Sequence, residues 1–302
     1  MRAIALLVLL VGCPTADTAQ TTDTTDTTDT GPTPLPDCPD YDEVSSTDVV
    51  GSALSEASGL VLGTDDVLWS HNDSGDIARL LPITVTGAVL GEVRLTDIDA
   101  RDWEDIARFD HPDLGSTLVI ADLGDNERRR TDTALVLLAE PAPPGFGQRI
   151  SVSAQTIDIS YSDGPQNVEA IAVDPVDQTL LIITKSDDGS TVYTAEPGWW
   201  DAASLTLEPV TTLPFGTPPL DGSTAATGAD TFADGRAIVV RTYAGAWYFR
   251  RPAGPLIRAF DTEPCEIPGN IEQGEAIAVV GDAYLTLPEG EDPALVRYEL
   301  EP

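Results

Sequence analysis

Glu104-Asp105-Ile106-Ala107, Glu169-Ala170-Ile171-Ala172 and Glu275-Ala276-Ile277-Ala278 are three copies of one short element, an acid leading into an apolar run. Glu56-Ala57-Ser58-Gly59-Leu60 is a looser copy, and Thr227-Gly228-Ala229-Asp230 keeps the place without the Glu. The starts at 56, 104, 169, 227 and 275 are 48, 65, 58 and 48 residues apart, a spacing that marks repeated supersecondary units. A second apolar run follows each start: Val67-Leu68-Trp69-Ser70, Leu118-Val119-Ile120-Ala121, Leu180-Leu181-Ile182-Ile183, Ala237-Ile238-Val239-Val240 and Ala283-Tyr284-Leu285-Thr286. Most units add two more, such as Ala134 to Ala139 with Thr156 to Tyr161, and Thr191 to Ala195 with Leu205 to Leu213. Four strands per unit predict an all-β fold, a β-propeller of five four-stranded blades, with six left possible.

The last unit is one strand short, while Tyr41 to Val50 precedes the first start with no unit of its own. An N-terminal strand completing the final blade would close the ring and remove its open seam. Cys38 lies just before that strand and Cys265 near the outer end of blade four, so a disulfide between them would pin the closure. Two separate free thiols are the alternative.

Antiparallel, short-looped strands bring the start of each innermost strand and the end of the second strand to the same face. One mouth therefore collects Glu56, Glu104, Glu169 and Glu275 with the turns His71-Asn72-Asp73, Asp125-Asn126, Lys185-Ser186-Asp187, Arg241-Thr242-Tyr243 and Glu289. Four carboxylates converging on an axis raise one another's pKa unless a cation intervenes. The ligands on offer are Asp, Glu and Asn oxygens, which suit Ca2+, and the four Glu are the expected metal ligands. The alternative is structural, each Glu accepting hydrogen bonds from backbone amides of the next blade.

Two function classes follow. In the first, a calcium-assisted hydrolase of an ester or phosphoester, Lys185 and Arg241 hold developing negative charge, Glu104 or Asp105 activates water, and His71 near Asp73 is a candidate base. Asn72, Asp73, Asp125, Asn126, Asp187, Tyr243 and Glu289 would line the ligand site. In the second, the mouth is a non-catalytic module that binds a small ligand or a surface partner. A serine-hydrolase elbow is absent around Ser58 and Ser74.

The strings His71-Asn72-Asp73-Ser74-Gly75-Asp76, Asp102-Trp103-Glu104-Asp105-Ile106-Ala107 and Gly124-Asp125-Asn126 resemble those of a group of bacterial secreted propellers. More distantly they are similar to phytase-like esterase propellers and calcium-bearing periplasmic propellers. The resemblance covers about residues 56 to 130, and it implies an axial, acidic, metal-holding site without a settled activity. Those distant relatives are usually six-bladed, so their catalytic residues are not carried over.

At the N-terminus, Arg2 precedes the apolar run Ala3 to Val11, which is too short to cross a bilayer as a helix of about 20 residues. Leu10-Val11-Gly12-Cys13 resembles the lipobox of bacterial lipoproteins, which implies a signal peptide over 1–12 and acylation of Cys13. An ordinary secretory signal is the alternative. Residues 13–37 are rich in Thr, Asp and Pro, with Thr-Thr-Asp repeated at 21–23, 24–26 and 27–29, and predict a disordered tether to a propeller domain over 38–302. The implied location is the bacterial cell envelope, extracytoplasmic, with the outer membrane favoured and the bilayer touched only through Cys13. The charge of −35, from 51 acidic and 16 basic residues, excludes nucleic acid as a natural partner because phosphate binding needs a basic stripe. A monomer is expected.

Overall fold

The computed structural model describes residues 38–50, 53–215, 224–269 and 273–301. The signal segment, Cys13 and the tether lie outside the described residues. After β1 (Tyr41–Asp48) the first blade is laid down as β2 (Ala57–Leu62), β3 (Val67–Asn72), β4 (Arg79–Thr84) and β5 (Glu92–Thr96). The second unit supplies β6 (Ile106–His111), β7 (Gly115–Asp122), β8 (Ala134–Ala139), β9 (Arg149–Ser153) and β10 (Gln155–Tyr161). The third supplies β11 (Val168–Val173), β12 (Leu180–Thr184), β13 (Thr191–Ala195), β14 (Ser204–Leu207) and β15 (Pro209–Thr212). The fourth is β16 (Ala226–Thr231), β17 (Ala237–Thr242), β18 (Gly245–Arg250) and β19 (Cys265–Ile267), and the chain ends in β20 (Gly274–Val280), β21 (Ala283–Pro288) and β22 (Ala294–Leu300).

These strands form five sheets, the blades of a five-bladed propeller. The inner strands β2, β6, β11, β16 and β20 pack in that order, and β20 returns to β2. Inner and second strands are buried on both faces because each blade is covered by its neighbours, which is why they read as continuous apolar runs such as Leu180–Thr184. The core is correspondingly divided into wedges between blades. Leu60, Leu68 and Leu81 of the first blade meet Ala276, Leu285 and Leu287 of the fifth, and Val119 and Leu137 of the second meet Ile171 and Ile182 of the third.

Closure is as the sequence predicts. β1 pairs antiparallel with β22, from Tyr41 opposite Leu300 to Asp48 opposite Ala294, and completes the fifth blade. Cys38 and Cys265 form a disulfide with Cα atoms 5.5 Å apart, tying the closing strand to the outer strand of blade four.

One expectation of strand order is corrected. The stretch from Leu205 to Leu213 is not one outer strand of blade three: β15 takes that place beside β13, while β14 crosses over and pairs in parallel with β10 of blade two. β9 does the same one blade earlier, running parallel to β5. Pro209 explains the split, since it has no N–H to donate and sits where the chain changes sheets. Each donated strand covers an edge that would otherwise be open, so two blades are five-stranded.

Candidate functional site

The repeated acidic element has a structural cause. Near the start of every inner strand the ladder slips by one residue: between Ala57 and Leu60, Val168 and Ala170, Ala226 and Gly228, and Gly274 and Ala276. In blade two, Ala121 accepts from the Glu104 N–H and donates to the Asp105 carbonyl, so two residues face one. Such β-bulges re-aim a side chain. The residues so placed are Ser58, Glu104, Glu169, Thr227 and Glu275, all buried. Blade one thus contributes Ser58 to this ring, and Glu56 lies two residues earlier, exposed, with its N–H bonded to Asn72 Oδ1.

The two hydroxyl members stitch neighbouring blades. Ser58 Oγ donates to the Glu104 carbonyl at 2.6 Å, and Thr227 Oγ1 to the Gly274 carbonyl at 2.6 Å. Glu169 accepts from Lys185 Nζ at 2.5 Å and from Asn167 Nδ2 at 3.1 Å, and the lysine also donates to Tyr243 Oη at 2.6 Å. Burial works against the Lys185 charge, but the facing Glu169 carboxylate outweighs it and holds the ammonium protonated. Glu275 is pushed up to about 8, chiefly by burial, against the lowering effect of Lys185.

Glu104 belongs to a different group. Its carboxylate lies with those of Asp73 and Asp102, one oxygen from each within 4.8 Å of the others, a spacing that could hold a metal ion. Burial first, then the charges of Glu169, Asp73 and Asp102, lift Glu104 well above the usual carboxylate range. Asp73 and Asp102 are raised as well, both mainly by desolvation. Asp73 comes from the loop after β3, and Asp102 and Glu104 from the segment leading into β6, both with their carboxyls toward Gly124. That approach is fixed from behind: Asp122 accepts the Asp102 N–H and an Arg130 Nη2 bond of 2.7 Å. Gly124 closes the cradle, because a Cβ there would land on Glu104 Oε1 and crowd the Asp102 carboxyl.

The backbone-acceptor role falls to aspartates. Asp105 is fully buried; its Oδ1 takes the Ile106 N–H, and its Oδ2 takes those of Ile171 in blade three and Ala229 in blade four at 2.9 and 3.1 Å. Both oxygens are engaged by backbone amides, so Asp105 joins blades. Asp230 does likewise toward Val279 in blade five at 2.7 Å.

Other expected residues also sit away from a reacting group. His71 is fully buried against Trp103 with Nδ1 on the Asn72 carbonyl, and burial pushes it down to about 4. Arg241 is fully buried, packed where Gly269 and Gly274 leave room, and desolvation lowers it to about 10. Asn72 spends its amide on Ser55, Glu56, Ala53 and Asp76. Asp125 accepts the Arg130 N–H, which fixes the turn. Asn126, Lys185, Asp187 and Tyr243 line a cleft of about 590 Å³. Glu289 is raised by desolvation and then by Asp73 and Glu56. The sequence named Asp102 and Gly124 only within the resembling strings, without a role in the site, and gave no sign of Asn167.

Fold and site together define a β-propeller with an acidic mouth. Among solved structures the chain is similar to the PQQ-bound aldose sugar dehydrogenase of Streptomyces coelicolor, with 13% identity, a TM-score of 0.52, and 89% of this chain and 100% of that one covered. The gluconolactonase of Xanthomonas campestris matches more loosely, at 12% identity and a TM-score of 0.48 over 88% of this chain and 95% of that one. At such identities the likeness is one of fold alone. No family model and no curated protein sequence matches the chain.

Proposed function

We propose that the mouth holds a divalent cation on Asp73, Asp102 and Glu104, calcium by the hardness of its oxygen ligands, and that an ester or phosphoester is hydrolysed there. The observation that supports this reading is the approach of three carboxylates in a cradle that only a glycine at 124 allows, each raised in pKa and so poorly served by the protein alone. The cation would polarise the substrate oxygen. Glu104 would be a ligand through one oxygen and take the proton of the attacking water on the other, in place of Asp105, whose oxygens are occupied. Lys185, positioned by Glu169 and Tyr243, holds developing negative charge. Glu275, protonated for much of the time near neutral pH, is placed on the Lys185 side to give a proton to the leaving oxygen.

The test is hydrolysis of aryl esters, aryl phosphoesters and lactones with calcium and in chelator. Calcium-dependent turnover that falls at least about 100-fold in Glu104→Gln is expected. A folded protein inactive on all three would leave the binding-module reading, which the burial of His71 and Arg241 favours. For residues 1–37 we propose a cleaved signal, an acylated Cys13 and a tether that holds the propeller outside the cytoplasm at the cell envelope. Cys13→Ser should move the protein from the membrane to the soluble fraction, and unchanged fractionation would count against the anchor.

A further inference from the structure

Beside the triad, the 590 Å³ cleft has walls of unlike character: Asn126 and Arg128 on the loop after β7, Lys185 and Tyr243 toward the axis, and Asp187 with Asp188 on the loop after β12. Lys185 is already engaged by Glu169 and Tyr243. Arg128 differs from its neighbours. Arg129 is paired with Glu127 and Arg130 with Asp122, whereas among the described residues the Arg128 guanidinium has no hydrogen bond or ion pair. On a chain with 51 acidic residues, a surface guanidinium without an ion pair stands out, although its charge is felt by Tyr193, whose hydroxyl sits on Asp163.

The loop explains its position. Arg130 Nη1 donates to the Gly124 carbonyl at 2.7 Å, its N–H goes to Asp125 Oδ2 at 2.6 Å, and the Arg128 N–H goes to the Asp125 carbonyl at 2.8 Å. Arg128 is thereby held at φ 53°, a left-handed conformation that an arginine adopts at some cost, and the residue lines the cleft. A planar donor fork carried on a fixed backbone matches a carboxylate or phosphate. Asp187 and Asp188 on the far wall repel a second anionic group.

We propose that the cleft takes a small ligand with one anionic end, a carboxylate or phosphate, and that Arg128 is the residue that selects it. The inference rests on the mouth being a ligand site, but not on the cation.

The experiment titrates the protein, in chelator so that no cation can take up the anion, with inorganic phosphate and separately with acetate. Binding is followed by amide chemical shifts in the wild type, Arg128→Gln and Arg129→Gln. Both variants lose one exposed positive charge, so both should fold and both should change the general field equally. We expect saturable binding of at least one anion, weakened about tenfold or more by Arg128→Gln and less than about twofold by Arg129→Gln. Which anion binds distinguishes the two sources. Absence of saturable binding, or equal weakening in the two variants, overturns the inference. A calcium-indifferent melting temperature with Arg128-dependent anion binding retained would remove the cation reading and leave this one standing.

Discussion

At Gly124 an added Cβ would meet Glu104 Oε1 and the Asp102 carboxyl. Carboxylates at 73, 102 and 104 can approach one another only because the chain passes them without a side chain. Gly124→Ala should therefore push Glu104 and Asp102 apart and abolish any calcium-dependent rise in melting temperature. Its effect on unfolding in chelator should be smaller, about 1–3 kcal/mol as for other overpacked positions. Calorimetry in chelator and in calcium checks both halves. At this scale the sequence was partly legible. The motif acids were visible, but a one-residue slip decides which of them turns inward, and slips leave no mark in composition. Ser58 rather than Glu56 occupies the bulge of blade one because Ala57 pairs with Asn72 and Leu60 with Ser70. Asp105 and Glu104 are adjacent in sequence, yet one ties three blades together and the other faces the cluster.

Strands in this fold are held by what crosses between blades as much as by their own ladders. Asp230 reaches the Val279 N–H of the next blade, and desolvation pushes it up to about 7. In the unfolded chain it titrates near 3.8, so between about pH 4 and 7 the native state keeps a proton that the unfolded state has released. Its contribution to stability is greatest below that window and falls as pH rises through it. Asp230→Asn should flatten this part of the stability profile, measured as unfolding free energy against pH in chelator, and a slope identical to wild type would contradict the assignment. The strand count and the closing strand were legible because period-two patterning and the missing partner of the last unit are local facts. Strand exchange by β9 and β14 was not, since parallel pairing with a preceding blade depends on where the chain is steered after a turn.

Over the whole molecule, closure and charge act together. The Cys38–Cys265 bond closes a sequence span of 227 residues, which in the chain-entropy model disfavours the unfolded state by about 5 kcal/mol, and it does so at the blade completed from both ends of the domain. A ring so fixed keeps five bulges pointed at one axis whatever the repulsion among their acids. Repulsion among Asp73, Asp102 and Glu104 is what a cation bound only by the native state would relieve, stabilising the fold by mass action. The decisive measurement is the melting temperature of the wild type and of an Asp73→Asn/Glu104→Gln double variant, each in chelator and in millimolar calcium. A concentration-dependent rise is expected for the wild type and none for the variant, which should match or exceed the wild type in chelator. A wild-type melting temperature indifferent to calcium, or an equal rise in both proteins, would contradict the cation site.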